Sequence, residues 1–343
     1  MKSISSSRRP TIADVARKAG VSTATVSRVV NAIGPVDETT AERVRLAIAE
    51  LNYVPHPAAR TLASQRTNTL GLLLPEISGS FFQPLLRGIE AAASEAGYDL
   101  LVHTTRNPRP VIMPRRALAE HNTDGLLAFP DSLDERELTR LASIHFPTVL
   151  LHQSPPQGIS LPVVTVENEN GARHVVEHLI TQHKRRRIVY LQGPEGHEDS
   201  VWREKGYCAA HQAYRIPFDP MLIVRGGFNR NEARRAMQKL LQKKVEFDAV
   251  FAGDDDAAVG VLLALREAGL RVPDETAVVG FDDQVFAETL LPPLTTVRAP
   301  TEMVGRTAVQ QLIRLIRGET VEARLVLPTE VIIRESCGCK TGS

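Results

Sequence analysis

Ser22, Thr23, Ala24, Thr25, Ser27, Arg28 and Asn31 crowd small hydroxyls, one methyl, an amide and a guanidinium into a short run that also carries Val26, Val29 and Val30. At helical spacing the valines turn inward and the polar groups face out. Such a face suits the base edges of duplex DNA. Arginine pairs bidentately with guanine, and threonine or alanine meets the thymine methyl. Thr23, Ala24 and Arg28 are best placed for the major groove. The same pattern also fits any small pair of helices whose second member is capped. Elsewhere, Cys337 and Cys339 flank one glycine with no histidine nearby in the sequence, a poor start for a zinc site, so no metal and no cofactor is expected. Cys208 falls on a predicted helix and reads as a small buried hydrophobe. There is no phosphate-cradling glycine loop, nucleophile elbow or metal triad, which argues against an enzyme.

The elements that must hold the polar run are legible. Thr11 caps a first helix, with Asp14 completing a partial capping box, and Ile12, Val15, Ala16 and Ala19 share one face. Gly20 ends that helix and Ser22 caps the next. Asp37 caps a third, which runs to about Leu51 with Val44, Ala47, Ile48 and Leu51 as its stripe. Helix, glycine turn and capped helix form a helix-turn-helix pattern. Pro55 and Pro57 then break the chain, and Ala58–Ser64 has room for only one or two helical turns, marginal without a partner surface. Residues 65–68 read as linker.

Beyond Asn68, β-like runs alternate with helical ones. Strands are predicted at Leu70–Leu74, Tyr98–His103, Gly125–Phe129, Val149–Leu151, Val163–Val166, Ile188–Leu191, Leu222–Val224, Ala249–Ala252 and Ala277–Phe281. Helices are predicted at Phe81–Ala96, Asn170–Thr181, Val201–Tyr214, Asn231–Gln242 and Asp256–Ala268. This alternation implies an α/β fold of parallel sheets with helices on both faces, in two lobes, with ligands at the carboxyl ends of the strands.

The chain has 343 residues, 43% of them hydrophobic, as expected of two or three globular units. No apolar run spans a bilayer, and residues 1–10 lack the apolar core of a secretion signal, so a short disordered leader and a cytoplasmic location are expected, with no membrane partner. Residues 1–68 carry ten Lys/Arg against five Asp/Glu, while the remainder carries 31 against 35. A basic end on a slightly acidic body suits a chain whose one end meets nucleic acid, although five surplus charges also make an ordinary solvated surface.

The run Thr11-Ile12-Ala13-Asp14-Val15-Ala16-Arg17-Lys18-Ala19-Gly20-Val21-Ser22, continuing through Thr25–Asn31, closely resembles the headpiece of the lac repressor/galactose repressor (LacI/GalR) family. Leu51–Pro55 and Ala59-Arg60-Thr61-Leu62 resemble its third-helix end and hinge. Val279–Asp283, Pro292–Val297, Pro328–Glu330 and Arg334–Ser336 resemble motifs of its core. The resemblance implies a headpiece at 11–56, a hinge and linker at 57–68, and an effector-binding core at 69–338 like a periplasmic binding protein, with a tail at 339–343. Its lobes would comprise 69–166 with 295–323, and 167–292 with 324–338.

The resemblance further implies a homodimeric repressor on a palindromic DNA operator, controlled by a small sugar-like or polyol effector. A nucleoside or purine corepressor is the alternative, and a sugar-processing enzyme with a regulatory headpiece the alternative of another class. DNA contacts are implied at Thr11, Ser22, Thr23, Ala24, Thr25, Ser27, Arg28, Asn31, Tyr53 and Ala59. Leu62 matches a minor-groove wedge, or else is a linker leucine packed on the core. Arg203, Asp254 and Asp282 match effector-gripping positions, and Phe81 or Phe82 could stack on a sugar ring. Each has a plainer reading: Arg203 in a structural ion pair, Asp255 or Asp256 as a helix cap, and both phenylalanines in the core. Three departures from the family pattern stand out: Asp254 replaces an asparagine, Gly79-Ser80 an Asn-Pro pair, and Glu167 an aspartate. An ionised Asp254 only accepts hydrogen bonds, so a neutral, hydroxyl-rich ligand is expected over a phosphorylated or acidic one. No leucine heptads follow the core, which argues against a coiled-coil tetramer.

Overall fold

A computed structural model describes residues 10–31, 33–54, 66–105 and 122–340. Ala59 and Leu62 lie outside them. The chain divides into two compact units, Met1–Asn68 and Thr69–Ser343.

The first unit is three helices: α1 (Ile12–Ala19), α2 (Thr23–Asn31) and α3 (Glu38–Leu51). Local chemistry sets each boundary. The Thr11 N–H donates to Asp14 Oδ2 at 2.9 Å and its hydroxyl to the same oxygen at 2.7 Å. Gly20, at φ +66°, ends α1 in the left-handed region. Ser22 Oγ accepts from the Thr25 N–H at 3.1 Å, and Asp37 Oδ2 from the Thr40 N–H at 3.1 Å. Val15, Ala16, Ala19, Val26, Val44 and Ala47 are buried together, with Val29, Val30, Ile48, Leu51 and Tyr53 packed around them.

The second unit holds two parallel sheets. The first lobe runs β1 (Thr69–Leu74), α4 (Phe82–Glu95), β2 (Asp99–Thr104), β3 (Gly125–Ala128), α5 (Glu135–Ser143), β4 (Thr148–Leu151) and β5 (Val163–Val166). The chain then crosses to α6 (Asn168–Gln182), β6 (Ile188–Gln192), α7 (Glu198–Ala213), β7 (Ile223–Arg225), α8 (Arg230–Gln242), β8 (Ala249–Ala252), α9 (Asp255–Glu267) and β9 (Ala277–Val279). It returns through β10 (Thr296–Arg298) to α10 (Thr301–Ile316) and β11 (Arg324–Leu327), and crosses again into β12 (Glu330–Ile332). The sheet orders are β11-β5-β4-β3-β1-β2 and β7-β6-β8-β9, with β10 and β12 paired antiparallel between them.

These pairings correct one boundary. Residues 324–327 were expected in the second lobe, but β11 pairs with β5 in parallel from Arg324↔Val163 to Leu327↔Val166, so the last crossing follows Leu327. Helices α5 and α10 were not anticipated. Helix α7 begins at Glu198, three residues earlier than expected, which brings Asp199 onto the same helix as Arg203. Both lobes share one large core in which Leu72, Leu85, Tyr190, Phe251 and Phe281 are buried. Among the described residues no helix is long and apolar enough to cross a membrane.

Candidate functional site

In the three-helix unit, buried Val26 fixes the rotation of α2 and leaves Ser22, Thr23, Ala24 and Arg28 exposed, with Thr25 and Ser27 half-buried. Arg17, Lys18 and Arg45 are committed to ion pairs with Asp14, Glu50 and Glu38. Arg28 makes no such pair among the described residues, so its guanidinium is available to a partner. Asn31 donates to Ser27 Oγ at 3.2 Å, which fixes its amide along the helix. Thr11 is held by Asp14, and Tyr53 is half-buried against the helical core. Thr23, Ala24 and Arg28 therefore share an open face, while Asn31, Thr11 and Tyr53 are tied into the scaffold.

In the second unit a cavity of about 280 Å3 opens at the carboxyl ends of the strands. Pro75 and Glu76 follow β1, Phe129 follows β3, Asp254 follows β8 and Asp282 lies just beyond β9; all line it. All five expected effector residues, Phe81, Phe82, Arg203, Asp254 and Asp282, line this one cavity.

Arg203 is the hub, only 3% exposed. Its Nε donates to Asn168 Oδ1 at 2.8 Å, one terminal nitrogen donates to the Gly253 carbonyl, and the other donates to Asp282 Oδ1 at 3.2 Å. The guanidinium carbon lies 3.7 Å from the Phe281 ring centroid, a cation–π stack beneath the ion pair. Arg203 is thus held in a buried ion pair and also lines the cavity. Around this hub the structure adds residues not singled out in the sequence. Asp199, one helical turn before Arg203, meets Asn168 Nδ2 at 2.8 Å and His152 Nδ1 at 2.9 Å. Burial alone would raise the Asp199 carboxyl, but His152 and Arg203 hold it down to about 2. His152 Nε2 is buried without a partner among the described residues.

Asp254 is at once helix cap and cavity wall. Its Oδ1 accepts from the Ala257 N–H at 2.8 Å, the cap expected of Asp255 or Asp256. Asp255 is fully buried and instead accepts from the Gln284 N–H at 2.7 Å and the Thr296 hydroxyl at 2.6 Å, whereas Asp256 pairs with Arg230 at 2.9 Å. Burial, and then the neighbouring Asp282 charge, push Asp254 up to about 8. The expectation of an ionised, acceptor-only Asp254 is thereby revised. At neutral pH it carries a proton and both donates and accepts, much as an amide would.

Aromatic rings enter from both lobes: Phe81 and Phe82 from the start of α4, and Phe228 from the loop before α8. A Cβ at Gly193 would lie 2.4 Å from the Phe228 ring, and one at Gly253 2.8 Å from it, so two glycines at strand ends make the seat for that ring. Phe82 is buried in the core as well as lining the cavity, and Phe81 is partly buried against the same core. Gly79, Ser80 and Glu167 do not line the cavity; Glu167 instead caps α6. Six carboxyl groups line the wall (Glu76, Asp131, Asp199, Glu232, Asp254 and Asp282) against one guanidinium and the ring of His197.

A second cluster joins the two cysteines to histidines remote in the sequence. His178 and His183, at the carboxyl end of α6, meet Cys337 and Cys339, and the four ligand atoms lie within 4.8 Å of one another. The sequence hid this because the histidines precede Cys337 by more than 150 residues.

Comparison with known proteins places these features. Residues 11–56 match the model of bacterial regulatory proteins of the lacI family, and residues 176–337 match a periplasmic binding protein-like domain. The chain is 37% identical over 339 residues to the HTH-type transcriptional regulator CelR of Thermobifida fusca, covering 96% of this chain and 98% of that one. Among solved structures it is similar to a CelR–cellobiose complex, with 36% identity, a TM-score of 0.72, and coverage of 96% of this chain and 100% of that one. It is also similar to a lac repressor dimer bound to operator and the anti-inducer ONPF, with 26% identity, a TM-score of 0.83, and coverage of 96% and 99%.

Proposed function

The chain belongs to the lacI family of bacterial regulatory proteins, and from that premise we propose that it is a ligand-controlled repressor that binds a palindromic operator as a homodimer. The observation that carries this reading is the open face of α2. Thr23, Ala24 and Arg28 are held outward by buried Val26 on a scaffold in which Arg17, Lys18 and Arg45 are paired with acids. Arg28 pairs with a guanine, and Thr23 and Ala24 contact neighbouring bases or thymine methyls. Ser22, Thr25, Ser27, Asn31, Thr11 and Tyr53 fix the helix or meet phosphates. Ala59 and Leu62 belong to this reading as hinge contacts.

The effector is a neutral, hydroxyl-rich sugar. On a wall with six carboxyl groups and one arginine, a protonated Asp254 gives and takes hydrogen bonds with hydroxyls, while the remaining carboxylates repel phosphate or carboxylate groups. Aromatic rings from both lobes suit the faces of a sugar ring. The cellobiose in the similar CelR structure supports this class. A ligand that touches Phe81 on one lobe and Phe228 or Arg203 on the other binds one lobe arrangement better than another, which is what control requires. Three of the wall acids are already engaged, Asp282 by Arg203, Asp199 by His152 and Asp254 by the Ala257 N–H, which supports binding rather than catalysis. A regulator that acts on an operator works in the cytoplasm, and that is the location this reading carries.

Selection of the purified full-length chain against random duplex DNA tests the whole reading. The expected product is a palindrome of two half-sites. Retention without any consensus, lost steeply as salt rises, would mean phosphate contacts alone and would remove the assigned roles of Thr23, Ala24 and Arg28. Calorimetry then compares a sugar with its phosphate ester. Tighter binding of the ester would overturn the effector class.

A further inference from the structure

We propose that His178, His183, Cys337 and Cys339 hold one zinc ion that fastens the carboxyl-terminal segment to the end of helix α6.

The distances carry the proposal. A tetrahedral zinc with bonds of about 2.3 Å to sulfur and about 2.0–2.1 Å to nitrogen sets two nitrogens about 3.3–3.4 Å apart, and nitrogen and sulfur about 3.5–3.6 Å apart. Here His178 Nε2 and His183 Nε2 are 3.3 Å apart. His178 Nε2 lies 3.4 Å from Cys337 Sγ and 3.7 Å from Cys339 Sγ, and His183 Nε2 lies 3.4 Å from Cys339 Sγ. Four of the six donor–donor separations thus lie close to the edge lengths of a coordination tetrahedron, and all four atoms, from two remote segments, lie within 4.8 Å of one another. Hydrogen bonding does not require this convergence. Two imidazole nitrogens share at most one proton, and thiols are weak partners for the rest.

The surroundings suit a metal with thiolate ligands. The Thr295 hydroxyl accepts from the Arg334 N–H at 2.9 Å, which directs its own proton to Cys337 Sγ at 3.1 Å, the kind of supporting bond that steadies a metal-bound sulfur. Ser336 is bonded to Thr295 and Val278, so the fold delivers Cys337 to this position before any ion arrives. Gly338 takes φ +113°, and a Cβ there would lie 3.0 Å from His183 Nδ1. Glycine lets the Cys-Gly-Cys turn close over the imidazole. Arg185 is directed away, onto the Pro273 carbonyl. On binding, the two thiol protons leave to solvent, and two thiolates with two neutral imidazoles balance the divalent charge. Mixed thiolate and imidazole donors in a tetrahedron select zinc over calcium or magnesium. With four protein ligands such a site is structural, without an open position for catalysis.

The test uses the full-length chain, expressed with zinc supplied and purified without chelator. Elemental analysis is expected to give one zinc per chain, lost in Cys339→Ser and in His183→Asn, both changes at partly exposed positions. Chelator-stripped wild type refilled with cobalt is expected to show intense tetrahedral bands and a thiolate-to-cobalt charge-transfer band, and stripping is expected to lower its melting temperature. Zinc retained equally by both variants overturns the proposal. So does wild type without zinc, whether the thiols are free or Cys337 and Cys339 are joined in a disulfide. The cobalt spectrum decides independently if a variant fails to fold: weak bands of oxygen-bound, six-coordinate cobalt would also overturn it.

Discussion

The two recognition surfaces of this chain are built in opposite ways. On α2, Thr23, Ala24 and Arg28 stand in solvent, and the hydrogen bonds beside them among the described residues are local, as from Thr25 to Ser22. In the cavity, Arg203 reaches Asp282 from 79 positions away and Asn168 from 35, and every member of that network is buried. The difference follows from the partner. Water satisfies an exposed guanidinium until DNA replaces it, so the headpiece can leave its readers free. A buried charge has no such substitute and needs fixed partners from the start. Recognition is thus separable from stability in the headpiece, and fused to it in the core.

The largest expected break of this contrast is Arg203→Ala. It strands Asp282 and Asp199 without their guanidinium, and loss of one partner from a buried pair costs about 3–5 kcal/mol. The core is expected to melt well below wild type, with effector binding abolished in calorimetry. An unchanged melting temperature would mean the cavity is no more wired to the fold than α2 is.

Asp254 gives the same fusion a pH signature. Its folded value of about 8 lies above the ordinary 3.8, so between those limits the folded chain holds a proton that the unfolded chain has released. Stability from this group is full below about pH 4 and falls as pH rises toward 8. Asp255 and Asp282, also raised by burial, act in the same direction. Asp199, held at about 2, acts oppositely and only at more acid pH. His178, His183, His197 and His211, lowered by burial, act oppositely below about pH 6.5, so melting temperatures of wild type are expected to fall between about pH 7 and about pH 8. Asp254→Asn, which keeps shape and cap geometry, is expected to flatten that slope, and an equal slope in both proteins would refute the assignment.

How much was legible in the sequence divides along the same line. The headpiece could be read almost completely because caps, glycine turn and valine spacing are local. In the core, motif positions lead to Arg203, Asp254 and Asp282, yet Asp199 escapes the pattern, which starts the helix at Val201 rather than Glu198 and so hides its one-turn relation to Arg203. Helix α10 and the placement of β11 depend on packing and sheet pairing with distant strands, which no local pattern encodes. The histidine–cysteine cluster is the extreme case, since two short polar stretches gain meaning only when the fold joins them.

Arg28→Ala probes the other side of the contrast. Loss of a bidentate base contact costs about 1–3 kcal/mol and relaxes preference at that base pair. Operator affinity is expected to fall by that amount in titrations against the selected palindrome, while headpiece and core melt as in wild type. A fall that is equal on operator and on random DNA would demote Arg28 to a phosphate contact.

The smallest expected effect asks whether any residue of the reading face also carries fold, as the cavity residues do. Ser22 caps α2 through its hydroxyl and stands exposed beside Thr23. Replacing a serine cap by alanine costs about 1 kcal/mol, whereas glycine costs only a few tenths. If Ser22 acts as a cap alone, Ser22→Ala should weaken the headpiece and operator binding more than Ser22→Gly. If its hydroxyl also donates to a phosphate, both variants lose that bond and operator affinity falls alike in the two, even though headpiece stability still separates them. Thermal melts of the full chain beside operator titrations measure both quantities. The first pattern keeps reading and folding separate in the headpiece, and the second makes Ser22 the one place where they meet.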